Sequence, residues 1–573
     1  MHVARVARRY KDREYVYHFV RQSYREDGKV KHRTLANLSH LPEPVIELVK
    51  RALAGDPAAL AGTVAELEVR RSLPHGGVAA VLGMARALGL PALLGPGPGR
   101  APALVLAMVV ARILDPVSKL ATASRLAATT LAERLDVEEA SEDDLYAALD
   151  WLITRQAAIE TGLAARHLAG GSLVLYDVSS TYVTGHACPL AAHGYSRDHR
   201  GDLEQIVFGL LLDAEGRPIS VEAFPGNTAD PATVESRLDA LQQRFGIERL
   251  VMAGDRGMLT SARIERRRER GGIDWISALR APAIRGLADE GVLQLSLFDE
   301  RNLCEIASPD FPGERLIVCR NPALAAERAR KREALLVATE KALARVAVSV
   351  AAGRLKGAGA IGLRAGRVVD AKKMAKHFEL QIGESHFAYR RKVDAIAAEA
   401  ALDGLYIIRT SVSAERLSAP AAVAAYKSLA QAERAFRNLK TIELEVRPIY
   451  HYREDRVRAH LFMCMLAAYV SWHLERALAP LLFRDEAPAE RTDPVAPPVR
   501  SAAARRKENR KRTADDELPV SSFATLLRHL ATLTENRIAP RGAPESQSYV
   551  QLTIPTPVQA RAFELLCFTP ASV

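Results

Sequence analysis

The sequence predicts an α/β fold, a mixed sheet flanked by helices, on three observations. Beyond Gly170 three apolar strands follow one another, "SLVLYDVSSTYV", "QIVFGLLLD" and "ISVEAF", with the turns "AEGRP" and "PGN" after the second and third. A helix over 232–245, the strand "ERLVMAGD", a charged helix around "SARIERRRERG" and the strand "DWISALR" come next. Three strands and then helix, strand, helix, strand is the layout of a mixed α/β sheet. The pattern then breaks near residue 281 and resumes at 403 with "GLYIIRTS", so 281–402 reads as an insertion into a core formed by 170–280 and 403–484.

The flanking segments follow from their own patterns. Residues 1–50 alternate as short strands, with the turn "EDGK" between the last two, and form a small basic β-unit. Residues 51–169 turn helical and close with "SEDDLYAALDWLITRQ", whose Ser-Glu-Asp-Asp start is an N-cap. This helical domain is expected to bind DNA ends, the alternative being that it simply packs. Inside the insertion a long Ala-rich helix opens at Asn321 and Pro322, and its "ERARKREALL" charge run reads as a solvated face. Residues 485–516, Pro-, Ala- and Arg-rich around "ARRKENRKR", read as a basic flexible linker, and 517–573 as a C-terminal segment suited to oligomerisation.

Composition narrows the partners. The 573 residues, 48% hydrophobic and 26% charged, describe a globular chain with sizeable cores. The apolar run "LFMCMLAAYVSW" stops after twelve residues, short of the roughly 20 that a spanning helix needs. The start "MHVARVARRYKDREY" lacks the apolar segment of a secretion signal, so a soluble intracellular protein is expected. Five scattered cysteines without a CxxC pair imply neither disulfides nor a zinc cage, and His186, Cys188, His193 and His199 read as a polar loop. A net charge of +11 suggests a polyanionic partner, nucleic acid above all.

The chemistry rests on carboxylates. Asp177 sits in the middle of "LVLYDVSST", where an unpaired ionised carboxylate is very costly, so something must offset its charge. Asp255 ends the apolar strand "RLVMAGD", where open α/β sheets place ligand residues; capping the turn or pairing with Arg256 is the alternative. In "YKSLAQAERAFRNLKT", residues 426–441, Tyr426, Glu433 and Lys440 recur every seven residues and share one stripe of a regular helix, which is either a solvated face or part of a site. Two strand aspartates and a helix glutamate repel unless a divalent cation lies among them, and hard oxygen ligands suit Mg²⁺, with Mn²⁺ as a substitute. Two such ions ~3.5–4 Å apart support in-line phosphoryl transfer.

At these residues the chain resembles a DDE transposase of a bacterial insertion sequence, in the RNase H-like superfamily, insertion sequence 4 group, insertion sequence 1634 branch. Three stretches carry the likeness: "LVLYDVSSTYVTG" with the following "GYSRDHRGDLEQIVFGLLLDAEGRPISVEAFPGNTAD", then "LVMAGDRGMLT", then "YKSLAQAERAFRNLKTIELEVRPIYHYREDRVRAHLFMCMLA". The third matches the family motif Y-x(2)-R-x(3)-E-x(6)-K at Tyr426, Glu433 and Lys440, but Leu429 stands where the motif has arginine.

The resemblance implies an RNase H-like catalytic core, with Asp177, Asp255 and Glu433 catalytic and metal-binding, and a two-ion Mg²⁺ site. It implies that Tyr426 and Lys440 hold terminal phosphates, with Lys427, Arg434, Arg437 and Arg256 as further DNA contacts. Register with Tyr426 and Lys440 selects Glu433 over the competing acids Asp198, Asp202, Glu443, Glu445, Glu454 and Asp455. The basic run "EVRPIYHYREDRVRAH", with Arg447, His451, Arg453, Arg456 and Arg458, is either a DNA contact or an ion-paired helix start. The implied function is DNA transposition by metal-dependent hydrolysis and strand transfer at terminal inverted repeats, by a homodimer or larger synaptic assembly in the bacterial cytoplasm and on the nucleoid. The alternatives are an RNase H-like nuclease or resolvase, and a domesticated DNA-binding protein without catalysis.

Overall fold

The apolar strands pair into one mixed sheet in a computed structural model. It describes all residues except 11–12, 27–28, 56–66, 186, 199, 231, 234–244, 246–249, 256–272, 294–297, 300, 448 and 489–492. The strands are, in chain order, β1 (His2–Tyr10), β2 (Arg13–Glu26), β3 (Lys29–Asn37), β4 (Leu67–Pro74), β5 (Leu173–Tyr182), β6 (Gln205–Asp213), β7 (Pro218–Pro225), β8 (Leu250–Ala253), β9 (Ile273–Ala278), β10 (Leu303–Ile306), β11 (Arg315–Arg320), β12 (Phe378–Ile382), β13 (Phe387–Arg391), β14 (Leu405–Thr410), β15 (Thr534–Pro540) and β16 (Tyr549–Leu552). The helices used below are α1 (Glu43–Leu53), α2 (Ala101–Leu114), α3 (Glu142–His167), α4 (Ala419–Lys427), α5 (Leu429–Arg437) and α6 (Glu454–Ala477).

The main sheet has the order β10-β11-β14-β9-β8-β5-β6-β7. β5, β6 and β7 form an antiparallel meander, whereas β8 and β9 continue from β5 in parallel. β6, "QIVFGLLLD", is buried along its whole length, as a near-continuous apolar run must be. The helices expected over 232–245 and around 261–271 lie outside the described residues, apart from Ala232, Thr233 and Phe245.

Beyond β9 the sheet adds β14, β11 and β10, all antiparallel. Two strands from within 281–402 thus extend the core sheet, because "RLIVCR" is apolar enough to bury Leu316 and Val318 against Ile407. Helices Pro322–Ala351 and Ala358–Ala371 and the β12–β13 hairpin instead pack around their own core, which includes Leu343, Ile361 and Phe378.

The chain divides into two compact units, one of residues 77–530 and 556–573, the other of 1–76 and 531–555. In the first, α2, α3 and α6 pack on one another. α3 starts with the expected cap: Ser141 Oγ accepts the Asp144 N–H at 3.2 Å, and the Ser141 N–H donates back to Asp144 Oδ2 at 2.9 Å. α2 buries seven consecutive residues, Leu104 to Val110, which leaves no apolar face for another partner. Among the described residues no single helix is long and apolar enough to cross a membrane.

The second unit holds the β1-β2-β3 meander, α1 and a sheet of order β16-β15-β4. β4 falls inside the stretch expected to be helical; "LEVRRSLP" alternates, and it pairs with β15. The basic stretch 485–516 also departs from a flexible linker. Ser501, held by Asp485 at 2.7 Å, caps a helix over Ala502–Arg510, and the buried Lys507 donates to the Ala479 carbonyl at 3.0 Å.

One turn fixes the end of the meander near the site. Gly226, after β7, donates its N–H to the Leu190 carbonyl at 2.9 Å, and Ala192 and Gln205 exchange both backbone hydrogen bonds beside it. A Cβ on Gly226 would lie 1.9 Å from the Gln205 carbonyl oxygen and 2.5 Å from that of Ala192. Because both oxygens belong to a locked backbone pair, Gly226→Ala is expected to cost about 3 kcal/mol or more of unfolding free energy, measurable by urea titration.

Candidate active site

Asp177 stands midway along β5, between the buried β6 and the parallel β8. Leu175 pairs with Ala253, so two residues further on Asp177 and Asp255 come level on adjacent strands. α5 packs against β5, and its Phe436 stands edge-on to Phe208 of β6 with ring centroids 5.3 Å apart. Ala432 and Phe436 are buried while Glu433 is exposed, so the packed face of α5 sets Glu433 on the rim of the site.

Two of these acids act on the third, Asp177. Burial pushes the Asp177 carboxyl up to about 6; the Val178 N–H, 2.8 Å from Oδ1, opposes this, Asp255 adds to it, Arg197 opposes it and Glu433 adds to it. The charges of both Asp255 and Glu433 thus reach the Asp177 carboxyl.

The helical stripe does not survive as a regular seven-residue repeat. α4 ends at Lys427, Ser428 joins it to α5, and Asn438–Ile442 form a π-helical turn in which the Glu443 N–H reaches the Asn438 carbonyl at 3.2 Å. The wider turn swings Lys440 inward. Its Nζ lies 2.6 Å from Asp198 Oδ1 and donates to Ser179 Oγ at 3.1 Å, and its side chain is only 11% exposed. Burial holds the ammonium below the usual lysine range, with Asp198 opposing. Arg447 closes the cluster, 2.7 Å from Asp198 Oδ2.

The other expected DNA contacts divide. Arg434 and Arg437 are exposed on α5, Tyr426 is half-buried beside Tyr406, and Arg256 lies outside the described residues. Lys427 departs from the expectation: its Nζ donates to the carbonyls of Pro494 and Val495, each at 2.6 Å, and of Ala496 at 3.3 Å. At the C-terminal end of α4 the ammonium finds backbone oxygens and clamps that segment. Leu429 is half-buried, and nothing in the structure explains it at the motif's arginine position.

For "EVRPIYHYREDRVRAH" the ion-paired reading prevails. Arg456 makes two 3.0 Å bonds to Asp150 and lies over the Tyr146 ring, and Arg453 reaches the same carboxylate. Arg458 binds Glu454 at 2.8 Å. Burial, then Lys119, pushes His451 down to about 3, so it carries no charge near neutral pH. Reasoning from sequence does not reach Ser179, although it lies two residues from Asp177 and so on the same face of β5. Asp198 enters that reasoning only as a competing ligand.

Two family profiles match the chain: "IS1634 family transposase, N-terminal domain" over residues 3–66, and "Transposase DDE domain" over residues 170–470, more than half of the sequence. The chain belongs to the IS1634 family of DDE transposases. A solved structure, the Mos1 transposase paired-end complex with left transposon end, is 16% identical and covers 34% of this chain and 62% of its own, at a TM-score of 0.14. The IS1634-family chain thus spans less than two thirds of that structure's length, and so low a score carries no argument. No curated protein matches.

In this family setting the donor chemistry suits a divalent cation. Asp177 is a half-buried carboxyl made harder to ionise by burial and by two more carboxylates, the penalty that a hard cation relieves. As they stand, no three acidic, imidazole or thiolate side chains among the described residues enclose an ion.

Glu443 turns away from the site behind the π-helical turn. There Asn438 Nδ2 donates to Glu443 at 3.1 Å and to Glu475 at 3.5 Å, in a cavity of about 70 Å³ that Arg434 and Arg484 also line. Burial, then Glu475, pushes Glu443 up to about 8 from the ordinary 4.5. The folded state therefore holds a proton that the unfolded state has lost, so stability falls as pH rises between about 4.5 and 8. Urea midpoints taken across that range should show the fall, and Glu443→Gln should flatten it.

Proposed function

We propose that the chain is the transposase of an insertion sequence: it binds terminal inverted repeats, hydrolyses the phosphodiester that frees each 3′ hydroxyl, and joins that hydroxyl to target DNA. The observation that carries the reading is the match of residues 170–470 to a transposase DDE domain, with Asp177 on the face of β5 shared with Ser179, where Lys440 donates at 3.1 Å. Mg²⁺ or Mn²⁺ held by Asp177, Asp255 and Glu433 would supply Lewis-acid stabilisation of the charge that develops at phosphorus and at the attacking oxygen. The chain's own part is to hold those ligands still. The Val178 N–H orients Asp177, Phe436 seats α5 on the sheet, and Asp198 fixes Lys440 against Ser179.

Two ends must be held together for strand transfer, so a dimer or larger synaptic assembly on DNA is part of the reading, as is activity at the bacterial nucleoid. The test is incubation of the full chain with labelled duplexes carrying the ends of its own element, in Mg²⁺ and in Mn²⁺. Nicking followed by joining to a second duplex supports a transposase. Nicking without joining favours a nuclease or resolvase on the same core, and binding without either product favours a DNA-binding protein that has lost catalysis.

A further inference from the structure

The helices Ala101–Leu114 and Glu142–His167 bury many of their residues within the larger unit. The β1-β2-β3 sheet offers a surface. Residues 1–37 hold ten lysines and arginines against four acids, and those acids, Asp12, Glu14, Glu26 and Asp27, lie at or beside the two hairpin turns. Lys11 and Asp12, and Asp27 and Gly28, are outside the described residues, so the surface is argued from the strands alone.

The register sorts the strands into two faces. Arg8 pairs with Tyr15, Val6 with Tyr17, Ala4 with Phe19 and Arg25 with Val30, and directly opposed residues share a face. Arg8, Tyr15, Tyr17, Phe19, Arg21 and Arg25 therefore lie on the same side. Tyr15 and Tyr17 are 45% and 37% exposed. The rings of Tyr17 and Phe19 stack at 6.2 Å, and the Arg21 guanidinium lies 5.6 Å from the Phe19 centroid.

Arginines set among exposed aromatic rings, with no acid between them, complement a phosphate backbone on one side and apolar sugar and base edges on the other. Arg8 on β1 and the aromatic and arginine residues on β2 belong to one two-stranded ribbon, which the ~12 Å major groove admits. We propose that this face of the N-terminal sheet is the chain's double-stranded DNA interface, with Arg8, Arg21 and Arg25 on phosphates and Tyr15 and Tyr17 against the groove. The proposal rests on the reading that the chain acts on DNA and assigns that role to the sheet.

The test uses the full chain carrying Asp177→Asn, so that binding is read without cleavage, and a fluorescein-labelled DNA duplex followed by anisotropy over a salt series. Arg8→Ala with Arg25→Ala is expected to weaken binding at least about tenfold and to make the slope of log K against log salt shallower by ~0.9 for each phosphate that is no longer neutralised. Arg5→Ala with Arg33→Ala, on the opposite face, is expected to change affinity less than about threefold. Circular dichroism spectra matching the parent exclude loss of folding. An unchanged affinity and slope for the Arg8 and Arg25 variant overturns the proposal while leaving the DNA reading intact, as does a larger loss from the opposite face. Failure of the parent chain to bind duplex at all removes the DNA reading and this one together.

Discussion

Asp177→Asn is expected to lower metal-dependent cleavage at least about 10³-fold, roughly 4 kcal/mol of barrier, while leaving duplex affinity within about twofold. The asymmetry follows from position. Asp177 is half-buried between neighbouring strands, its Oδ1 is held by the Val178 N–H, and its charge is felt together with those of Asp255 and Glu433. An amide keeps the shape and the neutral form that burial already favours, so the fold should not suffer, and a small rise in thermal stability is expected. What it removes is the anion. Single-turnover cleavage of a labelled element end, parent against variant, checks the loss; cleavage undiminished by the substitution would remove Asp177 from the chemistry.

The second large effect concerns the added strands. Arg409 of β14 makes two 2.6 Å bonds to Glu314, just before β11, and the two side chains are 6% and 2% exposed. The guanidinium also lies over the Phe311 ring at 5.0 Å. Glu314→Gln leaves a buried cation without its counter-charge, which should cost about 3–5 kcal/mol of unfolding free energy. Arg409→Met in the same chain should restore most of the loss, since removing both charges spares the desolvation that one alone incurs. Guanidinium titration of parent, single and double variants reads the cycle; a single variant as stable as the parent would show the pair to be dispensable.

Much of the core and of the site was legible in the sequence. An apolar run as short as "QIVFGLLLD", closed by the turn "AEGRP", reads as a buried strand, and the Ser141 cap announced α3 by its chemistry. Asp177 and Asp255 were visible because a carboxylate within an apolar strand demands a reason. Long-range pairing was not legible: Arg315 finds Thr410, and strands taken for a separate insertion lie in the core sheet. The fate of Lys440 was hidden as well. Counting sevens assumes an unbroken α-helix, and the π-helical turn at Asn438–Ile442 changes which way the residue points. Lys427 misled for a related reason, since a lysine at a helix end satisfies backbone carbonyls as readily as phosphates.

The smaller unit is stitched from distant parts of the chain: β15 is the central strand between β4 and β16, and Arg70 reaches Glu545 across 475 residues. On a ribosome adding roughly 5–20 residues each second, β4 emerges and then waits on the order of half a minute or longer for its partner. Through that interval it presents an unpaired edge. A chain interrupted during synthesis, even one with its whole active-site core already made, would carry this unit incomplete, so only molecules translated through β15 and β16 would own both halves of their architecture.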